Sequence, residues 1–337
     1  MSKEKKEQPA KAVHKTKIGG QALVEGVMMK GAYKGAMACR LPDGTMDVEI
    51  WDERNGKNAP WYKKTPLIRG IASFIISLID GYKYTMKSAE KQMVEEEEEE
   101  LTEKQKKKIE KKEATKAASG KSDKKDDDSN GFFTILMVIS CILGLGIALV
   151  LFMWLPKWLV GFIPAINDRL VLRSLFEGIV KVVIFILYMW LVGFMKDTRR
   201  TYEYHGAEHK TIACYEARLP LTVENVKKQT RLHPRCGTSF IFIVLIISIL
   251  VMCLVPFKIV WQRVICSLCL LPIVVSVSYE FIRFAGRSDS VLAKILSWPG
   301  LQLQRITTRE PDASQIECAI AALKPCIPEN EEDDIWG

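Results

Sequence analysis

Three of the four histidines fall in one short stretch of the chain, and two of them belong to an H-x-x-E-H string at 205–209. Residues four apart share one face of a helix, so His205 and His209 can point at the same ion. Neutral imidazole is the commonest protein ligand for metals, and Glu208 stands beside the second histidine. The string therefore predicts a metal site on a helix, with His205 and His209 as ligands and Glu208 as general base.

A second string of metal-ligating residue types follows about 24 residues later, in His233-Pro234-Arg235-Cys236-Gly237. Proline and glycine favour a turn there, and Thr222 can cap a short helix that folds this turn back toward the first string. We expect His233 as a third ligand, with Cys236 as a fourth ligand or as the alternative to His233. Glu203 and Glu280 are reserve carboxylates.

The donor set favours zinc as the divalent cofactor, although imidazole and thiolate groups also bind iron and nickel. The H-x-x-E-H order is that of the inverted zincin motif, in which the glutamate activates a metal-bound water molecule. This chemistry predicts a hydrolase acting on a lipid-linked or membrane-protein substrate. Two alternatives stay open, a non-catalytic metal-stabilised scaffold or sensor and a small transporter.

Composition excludes an ordinary cytosolic enzyme. The 337 residues are 48% hydrophobic and 26% charged, with a net charge of +8, but a Lys/Glu-rich stretch at 88–130 is followed by long apolar runs. Nine scattered cysteines do not form a disulfide framework. No nucleic-acid-binding module is recognisable, and no nucleic-acid partner is expected.

The apolar runs predict a mainly α, polytopic membrane protein with about four transmembrane helices, because roughly 20 apolar residues cross a hydrocarbon core. The predicted spans are 132–155, 175–195, 239–256 and 264–282. In the second span Glu177 and Lys181 are four apart and can pair on one helix face.

Basic residues set the expected orientation, because they resist translocation. The loop at 196–238, which carries the candidate metal site, is rich in lysine and arginine and should be cytoplasmic. With four spans, the N- and C-termini then also lie on the cytoplasmic side of the cell membrane, and the lipid bilayer is the expected partner. Oligomeric state does not follow from the sequence.

The remaining segments predict smaller elements. In the N-terminal cytoplasmic segment, 1–66, residues 37–51 alternate around Pro42-Asp43-Gly44, which indicates a β-hairpin. The glycine-containing stretch 18–31 is typical of turns around a buried strand, and a functional role for Gln21 or Glu25 is the alternative. We expect an interfacial or re-entrant helix at 67–87, with a fifth membrane span as the alternative. A charged disordered linker should follow at 88–130, and C-terminal cytoplasmic amphipathic helices at 283–337. One of these should stop at Pro299-Gly300, and another should start near Asp312.

Four strings of the chain resemble those of the bacterial YqhQ-like family of multi-pass membrane proteins. They are GGQALVEGVMM at 19–29, YHGAEHK at 204–210, HPRCGTSF at 233–240 and TTREPD at 307–312. The family is described as predicted metal-dependent enzymes, so the resemblance implies a metal-dependent activity without a substrate. It also implies His205, Glu208, His209, His233 and Cys236 as the site residues, whereas the charged stretch 95–128 departs from the family.

Overall fold

A computed structural model describes residues 14–113, 139–287 and 290–336. The chain is mainly helical, with a small N-terminal sheet, as the sequence predicts. The strands are β1 (Gly19–Leu23), β2 (Gly26–Lys30), β3 (Lys34–Arg40) and β4 (Met46–Asp52). The helices are α1 (Ile68–Glu113), α2 (Ile139–Gly161), α3 (Leu170–Val192), α4 (Lys196–Glu216), α5 (Val223–Lys227), α6 (Gly237–Met252), α7 (Val260–Arg287), α8 (Val291–Thr307) and α9 (Ala313–Leu323).

The N-terminal sheet has four antiparallel strands in the order β1-β2-β3-β4, where the sequence predicts one hairpin and one buried strand within 18–31. That hairpin is confirmed: β3 pairs with β4 from Lys34–Asp52 to Arg40–Met46, around a turn that contains Gly44 at a positive φ. The additional strands β1 and β2 come from the glycine-containing stretch. Their short length and many glycines hide the alternation that identifies a strand.

Both faces of the sheet are covered, because side chains alternate between them along each strand. Val27 and Met29 of β2 face a core shared with α4 and α9, whereas Met28 between them faces Tyr84 of α1. The sheet is thus packed between α1 on one side and α4 with α9 on the other. This arrangement fixes α4, the helix that carries the H-x-x-E-H string.

Helix α1 runs on through residue 113, into the segment that the sequence predicts as a disordered linker. Low hydrophobicity does not by itself predict a disordered chain, because lysine and glutamate are good helix formers. Residues 114–130 of the predicted linker lie outside the described residues. At its start α1 packs against α7, where Ser276 donates a hydrogen bond to the Leu67 carbonyl and Arg69 pairs with Glu280.

Within the described residues, three helices are long and apolar enough to cross a membrane, namely α2, α3 and α7. The third predicted span, 239–256, corresponds to α6, a shorter apolar helix of 16 residues. At 1.5 Å per residue α6 is about 24 Å long, whereas a hydrocarbon core is about 30 Å thick. The start of the first predicted span, 132–138, lies outside the described residues.

The expected pair between Glu177 and Lys181 does not form. Glu177 instead binds Arg173, one turn earlier on α3, and Arg263 of α7. The guanidinium groups offer several N–H donors in a planar fork, which suits a carboxylate better than a single ammonium does. Arg263 of the neighbouring helix α7 thus takes the place of Lys181, the partner predicted from the spacing along α3.

One C-terminal helix, α8, ends later than predicted. Helix α8 continues through Pro299 to Thr307, because the backbone after the proline is held by tertiary contacts: Gly300 packs against Ser239, and Gln304 bonds to the loop before α6. The start of α9 is confirmed, since Asp312 accepts from the Gln315 backbone in a capping box.

Candidate metal centre

Helix α4 presents the H-x-x-E-H string as predicted, and residues 206–209 of the string are buried where α4 and α9 pack against the sheet. Gly206 allows this position, because a Cβ there would lie 2.0 Å from the carbonyl oxygen of Arg309. The glycine weakens the helix by about 1 kcal/mol relative to alanine. In return, the segment after α8 can pass directly over α4 beside His205.

Both histidines of the string use Nδ1 for a backbone carbonyl. His205 Nδ1 lies 2.9 Å from the Thr307 oxygen, and His209 Nδ1 lies 2.6 Å from the Arg231 oxygen. A carbonyl only accepts, so each Nδ1 carries the proton, and the Nε2 lone pair of the neutral ring is left for another partner. Metal-binding histidines are held in this way in most proteins.

Cys236 approaches the same point from the start of α6. It is the N-cap residue of that helix, and its Sγ accepts from the Thr238 backbone N–H at 3.4 Å. The same sulfur lies 3.2 Å from His205 Nε2. The turn that Pro234 and Gly237 were expected to form thus delivers the thiol, and not the imidazole, to the H-x-x-E-H string.

His205, His209 and Cys236 form one group, whose potential ligand atoms all lie within 4.8 Å of one another. Two imidazole nitrogens and a sulfur are a donor set that suits zinc. All three come from rigid positions, two on one helix and one at a helix cap. The arrangement fits a divalent metal with three protein ligands.

Glu208 lies next to this group on the side of the sheet. Its side chain is 4% exposed, and Oε2 has no hydrogen-bond partner among the described residues. On β1, Gly20 leaves the room for it, since a Cβ there would lie 3.1 Å from Glu208 Cδ. A buried carboxylate oxygen without a partner is costly, and a bound cation or water molecule would remove that cost.

The close approach of these buried groups shifts their pKa values. Burial alone would raise the pKa of the Cys236 thiol, but His205 and His209 hold it well below its usual value. Burial alone would lower the pKa of His205, but Cys236 and then Glu208 raise it to about 9. For Glu208, burial raises the pKa above its ordinary value, which is the direction expected of a group that exchanges protons near neutral pH.

His233 lies beside the group but is directed elsewhere. Its ring is 5.6 Å from that of His209, while its Nε2 lies 3.5 Å from Glu216 Oε2. Its backbone is clamped by Gln304 of α8, which accepts from the N–H at 2.8 Å and donates to the carbonyl at 2.7 Å. Burial lowers the pKa of His233, so the ring is kept neutral.

The reserve carboxylates are engaged outside the group. Glu203 accepts a hydrogen bond from Gln315 of α9, and Glu280 pairs with Arg69 at the start of α1. Glu25, the alternative functional residue of the glycine-containing stretch, joins the β1–β2 turn to α4 through Arg200 at 2.6 Å. Gln21 lies near Thr85 and Gly81 of α1.

Sequence reasoning missed the residues that orient the site. The Thr307 and Arg231 carbonyls fix the two imidazoles, and Gln304 fixes the loop that carries Cys236. Every residue has a backbone carbonyl, so residue type does not indicate which carbonyls bind the imidazoles. Gln304 could have been noticed as a polar residue within an amphipathic helix, but this is a weak indication.

Comparison with known proteins gives a family and no activity. Residues 65–329 match the family described as "Protein of unknown function (DUF1385)". Over 319 residues the chain is 34% identical to the uncharacterized protein YqhQ of Bacillus subtilis (strain 168), covering 92% of each chain. No solved structure matches. The chain, with its His/His/Cys group, therefore belongs to the DUF1385 family of YqhQ-like proteins.

Proposed function

We propose that this protein is a membrane-embedded, metal-dependent hydrolase whose centre is a zinc ion held by His205, His209 and Cys236. The observation that carries the proposal is the meeting of these three ligand atoms within 4.8 Å, beside a buried glutamate, Glu208, whose Oε2 has no hydrogen-bond partner among the described residues. Structural zinc sites close with four protein ligands, whereas catalytic sites have three and keep one position for water. A three-ligand group next to a buried carboxylate supports the catalytic type.

The side chains have distinct roles in this proposal. A bound zinc ion would lower the pKa of a water molecule at its open position to about 7. Glu208 would accept the proton of the attacking water and later donate it to the leaving group, for which its raised pKa is suited. The Thr307 and Arg231 carbonyls would keep both imidazoles in the tautomer that leaves Nε2 free.

The proposed location is the cytoplasmic surface of the cell membrane. Helices α2, α3 and α7 support membrane insertion by length and composition, and we propose α6 as the fourth span. The basic segment 196–238 then lies in the cytoplasm together with both termini. The centre lies where α6 begins, so its substrate would be lipid-linked or a membrane protein.

Metal content of the purified protein tests the proposal. Full-length protein in detergent is loaded with zinc, passed through a desalting column and measured by elemental mass spectrometry. We expect about one zinc per chain in the wild type, and nearly none in His205→Ala, His209→Ala and Cys236→Ala.

Matched controls come from the same residue types outside the group. His14→Ala removes a histidine that pairs with Asp334, and Cys269→Ser removes an exposed thiol on α7, so both should retain zinc. His233→Ala should also retain it, because its Nε2 faces Glu216. Absence of zinc from wild type, or equal zinc in the three ligand variants, would overturn the proposal.

A second candidate function rests on the 3.2 Å distance between Cys236 Sγ and His205 Nε2. A cysteine at a helix N-terminus beside a histidine is the arrangement of a cysteine nucleophile, with the imidazole as acid and base. In that case the metal-free protein would be the active form. Activity that survives chelation and is lost on alkylation of Cys236 would favour this function over the zinc hydrolase.

A further inference from the structure

A second polar cluster lies at the opposite end of α6 from Cys236, between α2, α3, α6 and α7. Met252, the last residue of α6, accepts a hydrogen bond of 2.8 Å from Ser174 of α3. The same serine accepts from Arg263 of α7 at 2.8 Å. This cluster is separate from the metal centre and plays no part in the proposed hydrolysis.

Among the described residues, the one carboxylate of the cluster is bound by two guanidinium groups. Glu177 Oε1 accepts from Arg173 at 3.0 Å, and Glu177 Oε2 accepts from Arg263 at 2.8 Å. Each arginine also donates to a backbone carbonyl, that of Lys258 or that of Phe257. The single negative charge of the carboxylate is therefore already outweighed by two positive guanidinium charges.

Two lysines of the cluster have no carboxylate partner in the part of the chain that the structure describes. Lys157 of α2 is 2% exposed, and its Nζ donates one hydrogen bond, to the Met153 carbonyl at 2.9 Å. An ammonium group has three N–H donors, so two remain. Lys181 of α3 lies one turn beyond Glu177, and no acceptor among the described residues lies within hydrogen-bond distance of its Nζ.

The two lysines line one small cavity. It also borders on Ser174, Glu177 and Ser248, and its other walls include apolar side chains of α6. The space open to the centre of a water molecule is about 10 Å³. That is enough for one water molecule or one ion of similar size, and too small for a phosphate group.

We propose that this cavity binds one small monovalent anion of the size of chloride, held by the N–H groups of Lys157 and Lys181 and by the Ser248 hydroxyl. Four basic side chains surround one carboxylate among apolar helices, where an uncompensated charge is costly. The unused polar atoms are N–H donors, which exclude a metal cation. A lone water molecule would satisfy some donors but would leave the charge of the lysines unbalanced.

The dependence of thermal stability on chloride tests this site. Unfolding of the full-length protein in detergent is followed by tryptophan fluorescence while sodium gluconate is replaced by sodium chloride at constant ionic strength and pH. A ligand that binds the folded state raises Tm, so we expect a saturable rise of about 2–4 °C with chloride, and a similar one with bromide. Gluconate is too large for the cavity and should have no such effect.

Lysine variants assign the effect to the cavity. Lys181→Met and Lys157→Met keep the length and apolar stem of the side chain, and each should abolish the chloride-dependent rise. Lys228→Met, on the exposed surface after α5, should retain it. Equal Tm values of the wild type in chloride and gluconate would overturn the proposal, as would full chloride dependence in a folded Lys181→Met protein. The wild-type titration decides the question even where a variant does not fold.

Discussion

The two ends of α6 carry two polar sites that are unsatisfied in opposite ways. At its start, the atoms that converge are acceptors once His205 has lost its Nε2 proton: the Nε2 atoms of His205 and His209, the sulfur of Cys236 and one oxygen of Glu208. At its end, the carboxylate of Glu177 is already bound by two guanidinium groups, and the groups left over among the described residues are N–H donors of Lys157 and Lys181. A buried site with spare acceptors suits a cation, and one with spare donors suits an anion. The sign of the charge on the expected ligand thus follows from whether acceptors or donors are left over in the site.

At the start of α6, Glu208→Gln should cause the largest loss, and the quantity lost is the rate of hydrolysis. The amide has nearly the same shape but cannot accept a proton, so hydrolysis of an identified substrate should fall by about 10²- to 10⁴-fold. Zinc content should stay at about one per chain, because Glu208 lies outside the three-ligand group. Unchanged turnover in this variant would remove Glu208 as the base while leaving the metal centre intact.

Glu177→Gln should have the next largest effect, at the other end of α6. It leaves the buried guanidinium groups of Arg173 and Arg263 without their carboxylate, and breaking a buried ion pair in this way costs about 3–5 kcal/mol. The matched control is Asp168→Asn, which breaks the exposed pair with Lys258 and should cost at most about 1 kcal/mol. Denaturation in detergent compares the two, and equal losses would contradict the assignment of Glu177 as the centre of the cluster.

The smallest of the three effects is the pH dependence of zinc affinity. A pKa of about 9 for His205 means that the metal-free ring is protonated at neutral pH, so zinc must displace that proton. Affinity should therefore fall about tenfold per unit of pH below 9, as measured by competition with a chromophoric chelator between pH 6 and 8.

The same raised pKa has a consequence for stability. The charged ring stabilises the metal-free fold below its unfolded pKa, and this contribution is lost as the pH rises through about 9. The anion cavity lies at the other end of α6 and should not alter either trend. A zinc affinity that is constant from pH 6 to 8 would contradict a protonated His205.

Local signals were sufficient for the parts of the site that depend on spacing along one element. His205 and His209 share a helix face because four residues separate them, and Asp312 caps α9 because its side chain fits the Gln315 backbone. The hairpin of β3 and β4 followed from its turn residues in the same way.

Distant partners decided what the sequence did not predict. His233 belonged to the expected ligand set by residue type, but Glu216 and Gln304 direct its ring and backbone away from the group. Glu177 was expected to bind Lys181 and binds Arg263 of another helix instead. In both cases the partner comes from a distant part of the chain, so spacing along one element does not predict it.

X-ray absorption spectroscopy at the zinc edge of the loaded wild-type protein would identify the ligands of the bound zinc ion. We expect one sulfur at about 2.3 Å, two imidazole nitrogens at about 2.0–2.1 Å and one oxygen atom from water. A sphere with three imidazoles and one sulfur would mean that His233 closes the site, as in a structural centre. A sphere without sulfur would contradict the three-ligand centre itself.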